Sequence, residues 1–408
     1  MTAVTAAARN DSGNATARRV RIAVIVNMVA PYTKPLFERL AQREDCELLV
    51  VSETPMERDR RWEPEIDLAF DHVLLDSWTL DLSRLAIGSG FRTRFDTYVY
   101  IPKRPLRALA KFGPDVVVAG GGGIWSSPTN IAALAARRWR DWAFVPWWGS
   151  FARQRPTLPR RVADPWVKTF MRTSDAWLVY GTRHAKDVVE LGADRERVVM
   201  APITPLGPDP AIQRPAARAG AGTRYLFVGR LIERKGLDVL LDAFGRVGAG
   251  ELWIAGDGPL RQMVDAAAAQ DTRIRVIGHA AGNALAQAYR EADVLVVPSL
   301  YEPWGLVVHE GLAYGLPVIA TDQVGAADDL VDPGVNGFIV PAGSLPALTD
   351  AMTTIAAWTP ERRERAFEHS EQKLAAFSIE RGVDGFVHGC SVAVEHRRMR
   401  TRGAAVRA

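Results

Sequence analysis

Cysteine is scarce in this chain. Cys46 and Cys390 are the two cysteines among 408 residues, and they lie far apart in the sequence. Small secreted domains that cannot build a sufficient core usually depend on several disulfides. The count therefore excludes a disulfide scaffold and favours a reducing, cytoplasmic location, in which both thiols are expected to be buried and unreactive.

Long apolar runs are also missing. A membrane-spanning helix needs about 20 consecutive apolar residues, and no stretch of the sequence approaches that length. The first 19 residues, MTAVTAAARNDSGNATARR, lack the apolar segment of a secretory signal, and we interpret residues 1–19 as a disordered tail. The net charge of +4 is modest and no nucleic-acid-binding motif accompanies it, so no nucleic-acid partner is expected.

Recognisable metal and cofactor motifs are absent as well. The sequence has no Asp-x-Asp pair, no His-x-His and no cluster of cysteine and histidine, so we predict no metal site and no cofactor. His279 and His309 are interpreted as structural or loop residues. A nicotinamide-dependent dehydrogenase is disfavoured because no G-x-G-x-x-G opens the first helix.

The length and pattern of the chain indicate two α/β domains. Short apolar segments such as RIAVIVN, CELLVVSE, YLFVGR and DVLVVPS alternate with amphipathic stretches of 10–15 residues. That alternation is typical of βαβ units and parallel sheets. We therefore predict two Rossmann-like, doubly wound parallel-sheet domains that face a central cleft at the carboxyl ends of their strands.

The segment from Pro205 to Arg224 interrupts this pattern. It is rich in Pro, Gly and Ala, and we place the domain boundary there. The predicted N-terminal domain covers residues 20–205 and the predicted C-terminal domain covers residues 206–375. The last residues, HRRMRTRGAAVRA, are polar and basic and are expected to fray.

Two glutamates bracket the segment LYEPWGLVVHE, at Glu302 and Glu310. Pro303 and Gly305 disfavour a continuous helix, so we predict a loop at Glu302 and a helix that begins near Gly305. The free N–H groups of the first helical turn would suit sugar hydroxyls or an anion. The alternative is a solvated loop glutamate and a capping glutamate, and the spacing alone leaves both open.

Two cations follow the strand of FVGRLIERKG, at Arg230 and Lys235. Gly229 and Gly236 would let the backbone approach a ligand closely, so the segment is a candidate phosphate site. A solvated surface loop is the alternative.

Taken in order, the segments FVGRLIERKGLDVLLDAF, LWIAGDGPLRQ and VIGHAAGNALAQAYREADVLVVPSLYEPWGLVVHEGLAYGLPVIATDQ resemble the C-terminal half of GT4-type (group 1) retaining glycosyltransferases, which have the GT-B fold. The resemblance runs from about Tyr225 to Gly343 and includes a complete Glu-x7-Glu motif. The N-terminal half resembles the family more loosely, through NMVAPYTKPLFERLA and SDAWLVYGTRHAKDVVELGA. FSIERGVDGF resembles the last helix of the family, so residues 376–408 are expected to return to the N-terminal domain.

The resemblance implies a retaining enzyme that moves a sugar from a nucleotide sugar to a hydroxyl acceptor in polysaccharide, glycolipid or small-molecule glycoside biosynthesis. It implies that Arg230, Lys235 and Glu302 carry catalysis, with the two cations on the donor diphosphate. Glu310 would accept from the ribose hydroxyls. The remaining implied donor-side residues are Gly229, Gly278, Trp304, Gly305 and Leu306. The nucleotide sugar is the co-substrate, and no metal is implied.

The predicted acceptor side departs from the family. PWWGSF stands near the position where many relatives carry a histidine, and NMVAPYTKP replaces the usual glycine pair after the first strand. The glycine run from Gly120 to Gly123 is a candidate replacement, with a plain turn as the alternative. The candidate acceptor-side residues are Asn27, Tyr32, Gly121, Gly122 and Trp148.

Basic stretches with aromatic residues, RRWRDW and RQRPTLPRRVADPWVKTFMR, occur in the N-terminal half. One interpretation is docking on the inner face of an anionic membrane to reach a lipid-linked acceptor; a solvated helix face over a Trp core is favoured. The oligomeric state is not addressed by the sequence. Alternative functions are a nucleotide-sugar epimerase or a pyridoxal-phosphate phosphorylase of the same fold, and a catalytically silent partner subunit.

Overall fold

The computed structural model describes residues 19–55, 67–81, 98–120, 127–150, 158–205 and 222–407. The predicted tail, most of the predicted domain boundary, and the candidate residues Gly121 and Gly122 lie outside these ranges. The described residues form two parallel α/β domains, each with helices on both faces of its sheet.

The N-terminal sheet has seven parallel strands in the order β3-β2-β1-β6-β7-β8-β9. They are β1 (Val20–Val26), β2 (Cys46–Ser52), β3 (Asp71–Leu74), β6 (Val116–Ala119), β7 (Ala143–Trp148), β8 (Trp177–Val179) and β9 (Val198–Met200). Strands β4 (Ser77–Asp81) and β5 (Tyr98–Pro102) form a separate antiparallel pair. The central strands are apolar on both faces because helices cover both sides of the sheet.

Helices alternate with these strands. They are α1 (Lys34–Ala41), α2 (Arg107–Phe112), α3 (Pro128–Ala136), α4 (Leu158–Thr173) and α5 (Thr182–Glu190). The start of α3 shows the local chemistry, because Ser127 Oγ accepts from the Asn130 backbone N–H at 3.3 Å and Pro128 occupies the first helical position.

The C-terminal sheet has six parallel strands in the order β12-β11-β10-β13-β14-β15. They are β10 (Arg224–Val228), β11 (Glu251–Ala255), β12 (Ile274–Gly278), β13 (Val294–Val297), β14 (Val318–Thr321) and β15 (Gly337–Val340). The helices of this domain are α6 (Leu237–Arg246), α7 (Arg261–Gln270), α8 (Gly282–Glu291), α9 (Leu306–Ala313), α10 (Ala327–Leu330), α11 (Leu345–Ala356) and α12 (Pro360–Ala375). Two short 3₁₀ turns, Arg195–Arg197 and Glu233–Lys235, complete the described elements.

The last helix, α13 (Ile379–Arg407), packs on the N-terminal domain. Its buried Phe386 and Cys390 join the core that covers one face of the N-terminal sheet, and Phe386 contacts Trp147 edge to face at 5.3 Å. Helix α13 continues through Arg407, and fraying of its last turns stays a prediction. Both cysteines are free and buried.

Each sheet reverses its strand order once, and this reversal positions the candidate site. The N-terminal sheet reverses between β1 and β6, and the C-terminal sheet reverses between β10 and β13. In doubly wound sheets the loops that leave the carboxyl ends of such strands diverge and open a ligand crevice. Within the described ranges, no helix combines the length and apolarity needed to cross a bilayer.

Candidate active site

Lys235 and Glu302 meet at the reversal point of the C-terminal sheet. Lys235 follows β10 and Glu302 follows β13, and the Lys235 Nζ donates to Glu302 Oε2 in an ion pair. The side chains are 11% and 14% exposed, so the pair reaches solvent without lying in bulk water. The structure thus brings together two residues that are far apart in the sequence and were predicted to act together.

The backbone of the Lys235 loop is fixed against the loop that follows β13. The 3₁₀ turn Glu233–Lys235 ends at Gly236, which has φ +66°, and a Cβ there would lie 2.2 Å from the Pro298 carbonyl oxygen. Only glycine accommodates both the left-handed conformation and the close approach. The Leu300 N–H also donates to the Arg234 carbonyl at 2.8 Å. These contacts hold the Lys235 ammonium over the crevice.

Glu302 lies in a loop that is tied to the end of β14. Its N–H donates to the Gln323 carbonyl at 2.9 Å, and its carbonyl accepts from the Gly325 N–H at 3.0 Å. Helix α9 begins at Leu306, and Gly305 caps it with φ +95°. This is the loop and helix start that the sequence predicts.

Glu310 lies in the second turn of α9 and is half-buried. The Tyr289 hydroxyl, on α8, donates to Glu310 Oε2 at 2.5 Å, and the Tyr289 ring stacks on Tyr314 with centroids 5.0 Å apart. Burial raises the pKa of Glu310, and the hydrogen bond from Tyr289 opposes that shift. The sequence analysis missed Tyr289, because a tyrosine on the apolar face of a helix reads as an ordinary core residue.

The glycines predicted on the donor side lie where neighbouring loops meet at the carboxyl edge. A Cβ on Gly229 would lie 3.6 Å from Lys235 Nζ, so the lysine side chain passes over this position. Gly278 ends β12, and its carbonyl accepts from the Gly256 N–H at 2.7 Å. Arg230, next to Gly229, is half-buried in the same loop. The loops after β10, β11 and β12 therefore form one continuous edge.

The Trp304 side chain packs away from Lys235, in the contact between the two domains. It is 4% exposed and packs against Tyr180, His184 and Phe377, with ring centroids 5.6–6.3 Å apart. Its carbonyl accepts from the Ala326 N–H at 2.8 Å. The prediction for Trp304 and Leu306 concerned backbone groups, and both residues lie at the start of α9 beside Glu302.

Three of the candidate acceptor-side residues, Asn27, Tyr32 and Trp148, are described by the structure, and they lie at the carboxyl edge of the N-terminal sheet or just beyond it. The carbonyl of Asn27, directly after β1, accepts from the Glu53 and Thr54 N–H groups at 3.0 and 2.8 Å. Tyr32 is half-buried against the core, and Trp148 is buried with its Nε1–H donating to Asp187 at 3.2 Å. The indole of Trp148 is thus committed to a structural contact.

Glu53 is a buried carboxyl group at this edge that the sequence analysis did not select. Ser127 Oγ donates to its Oε1 at 2.8 Å, and Thr129 Oγ1 donates to the same atom. Burial raises the pKa of Glu53, and the two hydroxyl donors oppose that shift. The only signal in the sequence was its position, directly after an apolar strand.

No group of three or more metal-ligating side chains comes together in the part of the chain that the structure describes.

Comparison with known proteins places this geometry in a family. Residues 222–357 match the family model described as "Glycosyl transferases group 1". A GDP-mannose-dependent alpha-mannosyltransferase of Mycobacterium tuberculosis is 31% identical over 256 residues, which are 59% of this chain and 64% of that protein. The lipopolysaccharide core biosynthesis glycosyltransferase LpsE of Rhizobium meliloti is 29% identical over 232 residues, or 56% and 67% of the two chains. In eight of the curated relatives, the aligned part spans from 31% to 67% of the relative's length.

Solved structures extend the comparison to nearly the whole chain. HepE of Anabaena in complex with UDP superposes with a TM-score of 0.67 at 14% identity, covering 91% of this chain and all of that one. Sucrose-phosphate synthase of Thermosynechococcus elongatus superposes with a TM-score of 0.65 at 20% identity, covering 95% of this chain and all of that one. At these identities the likeness concerns the fold, and it confirms the prediction of GT-B architecture. The match of residues 222–357 and the GT-B architecture of the whole chain show that this protein is similar to the group 1 glycosyltransferases.

Proposed function

We propose that this protein is a retaining, metal-independent glycosyltransferase that uses a nucleotide sugar as donor and a hydroxyl group as acceptor. The observation that carries the proposal is the Lys235–Glu302 pair at the reversal point of the C-terminal sheet, beside the start of α9. A cation aimed at the leaving diphosphate and a carboxylate beside it are what sugar transfer from a nucleotide requires.

In the proposed reaction the bond between the anomeric carbon and the diphosphate oxygen breaks while the acceptor oxygen bonds to the same carbon. Negative charge develops on the diphosphate, where Lys235 and Arg230 would stabilise it. The acceptor proton passes to the leaving phosphate oxygen, so no separate protein base is needed. Glu302 and the N–H groups at the start of α9 would hold the sugar, and Glu310 would accept from the ribose hydroxyls.

The relatives support the classes of donor and acceptor. One curated relative is named as GDP-mannose-dependent, and one structural neighbour was solved with UDP. Another relative acts in lipopolysaccharide core biosynthesis. We therefore extend the proposal to a saccharide or glycolipid acceptor, including a lipid-linked one reached at the inner face of a membrane, and to a cytoplasmic setting.

The test begins with thermal denaturation in the presence of EDTA and a panel of UDP-glucose, UDP-galactose, UDP-N-acetylglucosamine and GDP-mannose. A true donor at a hundred times its Kd should stabilise the protein by about 2.7 kcal/mol. Incubation of the stabilising donor with oligosaccharide and glycolipid acceptors should yield a product whose anomeric configuration, read by NMR, matches the donor.

Four outcomes would contradict the proposal. Inversion at the anomeric carbon would exclude a retaining mechanism, and activity that depends on added metal would exclude metal independence. Release of the free nucleotide and an altered sugar without any acceptor would identify the epimerase alternative instead. Absence of binding by every member of the panel would favour a silent subunit.

A further inference from the structure

The N-terminal turn of α5 carries a cluster of contacts between the two domains. The Thr182 N–H donates to Asp329 Oδ2 at 3.0 Å. The Arg183 guanidinium binds both carboxylate oxygens of Asp328, at 2.8 and 2.6 Å, and also donates to the Asp322 carbonyl at 2.5 Å. Such a two-pronged contact fixes orientation as well as distance. Helix α5 is therefore hydrogen-bonded to the segment that follows β14. The Glu302 loop is hydrogen-bonded to the same segment.

His184 extends this contact into the Glu302 loop. It is fully buried, and its Nε2 lies 2.9 Å from the carbonyl oxygen of Pro303, the residue directly after Glu302. Burial lowers the pKa of His184 to about 4, so the imidazole is neutral at physiological pH. Because a carbonyl can only accept, the contact with Pro303 is a hydrogen bond in the tautomer that carries the proton on Nε2.

The packing around this hydrogen bond leaves little room for movement. The His184 ring lies 5.6 Å from the Trp304 ring, centroid to centroid. A Cβ on Gly181 would lie 2.2 Å from Asp329 Oδ2 and 2.6 Å from the Trp304 ring, and a Cβ on Gly325 would lie 2.2 Å from the Pro303 oxygen. Gly181, in the N-terminal domain, thus lets its backbone lie against the Asp329 and Trp304 side chains, and Gly325, in the C-terminal domain, lets its backbone approach the Pro303 carbonyl.

We propose that His184 is a positioning residue: from the N-terminal domain it fixes the Pro303 carbonyl, and with it Glu302 and the start of α9, in the geometry that the donor sugar requires. The inference rests on the proposed function of Glu302. The Glu302 loop is held on one side by its own domain, through Gln323 and Gly325, and on the other side by His184. The sugar subsite is therefore complete only when the two domains are in contact.

The proposed nucleotide subsite, unlike the sugar subsite, does not depend on contact between the two domains. Glu310 and its partner Tyr289 both belong to the C-terminal domain, and their hydrogen bond needs nothing from α5. Loss of the His184 contact should therefore weaken use of the sugar while leaving nucleotide binding intact. A purely structural role for His184 would affect both together.

The experiment compares two substitutions of this residue in the full chain. His184→Phe keeps an aromatic ring against Trp304 and removes the donor, whereas His184→Gln keeps an N–H group of similar reach. With the donor found in the panel, His184→Phe should lower kcat/KM about tenfold, the effect of one buried hydrogen bond, and His184→Gln should recover most of it. The Kd of the matching nucleoside diphosphate should stay within about twofold in both variants. His388→Phe, at an exposed site on α13, is the matched control.

A second measurement needs no ligand. Amide hydrogen exchange over residues 300–307 should be about tenfold faster in His184→Phe than in the wild type and His388→Phe, because one restraint on the loop is gone. Unchanged exchange would overturn the positioning role even if no donor is found. Parallel loss of turnover and diphosphate affinity, without recovery in His184→Gln, would also overturn it. A wild-type protein that binds no nucleotide sugar refutes the proposed function, a result separate from both.

Discussion

The carboxyl edges of the two sheets carry different chemistry. The edge of the C-terminal sheet holds a partly exposed ion pair, Lys235–Glu302. The edge of the N-terminal sheet holds a buried carboxyl group, Glu53, whose hydrogen-bond donors are the hydroxyls of Ser127 and Thr129. Because the pair is partly exposed, Lys235 can exchange its contact with Glu302 for a contact with a bound diphosphate. A buried carboxyl group that accepts from hydroxyls instead stabilises the loops around it. The difference is consistent with the proposed donor side in the C-terminal domain.

The largest difference between the two edges is expected when the Lys235 cation is removed. Lys235→Ala takes away the charge expected to face the leaving diphosphate, and we expect turnover to fall ~10²–10³-fold. Lys111→Ala, which removes an exposed lysine from α2 of the other domain, should leave turnover unchanged. The measurement is kcat with saturating donor, and a loss of less than threefold in Lys235→Ala would remove Lys235 from the proposed machinery.

Neutralising Glu310 should give the next largest effect, on nucleotide affinity. Glu310→Gln replaces a charged acceptor of the ribose hydroxyls with a neutral one, so the Kd of the nucleoside diphosphate should rise about 10- to 100-fold. Isothermal titration measures it, with the exposed Glu371→Gln as the matched control. Equal affinities in the two variants would refute the ribose contact.

Each domain has a buried histidine, His184 or His309, that should lower the stability of the protein as the pH falls. Burial lowers the folded-state pKa of His184 and of His309 to about 4. Between pH 6.5 and 4 the unfolded chain binds a proton at each site that the folded chain does not, so each histidine lowers stability as the pH falls through this window. Buried Glu53, Glu310 and Asp329 have raised pKa values and act in the opposite direction.

Substitution isolates the contribution of each histidine. In His184→Phe or His309→Phe, the loss of unfolding free energy between pH 7 and pH 5 should be about 2 kcal/mol smaller than in the wild type. Urea denaturation at the two pH values measures this difference, and any constant cost of the substitution cancels. An unchanged difference in either variant would show that the histidine titrates normally in the folded protein.

The smallest effect is expected at the N-terminal edge. Glu53→Gln keeps the shape of the side chain and an acceptor oxygen for Ser127 or Thr129, so the free energy of unfolding at pH 7 should change by about 1 kcal/mol or less. Nucleoside diphosphate affinity should not change at all. A loss of diphosphate affinity in Glu53→Gln would contradict the separation of the two edges.

Much of the fold follows from periodicity, and the exceptions are short or irregular elements. The strands of RIAVIVN and DVLVVPS and the break before α9 were predicted because apolar runs and the Pro303–Gly305 pair are strong local signals. Strands β3, β4, β5 and β15 were not: β3 and β4 mix polar with apolar residues, and β5 ends at Pro102 and β15 begins at Gly337, residues that are typical of turns. The full length of α13 was not predicted, because its last residues are polar and basic and show no apolar periodicity.

The candidate site likewise contains residues that the sequence predicted and residues that it did not. The roles expected of Arg230, Lys235, Glu302 and Glu310 came from two short motifs and their resemblance to a family, and their catalytic and binding roles stay predictions. Tyr289, Glu53 and His184 gave no such signal, because each contacts a partner at least 21 positions away. Gly121 and Gly122 lie outside the described residues and stay predictions as well.

The sequence by itself predicted the class of each domain, most of the order of strands and helices along the chain, and the family that the chain resembles. Local patterns suffice for these, because side-chain period and turn chemistry act over a few residues. Only the tertiary structure decided that Lys235 pairs with Glu302, that Tyr289 holds Glu310, and that His184 reaches across the domains to Pro303. Those contacts depend on which strands are neighbours and on how closely glycines let two backbones approach, and no local pattern encodes either.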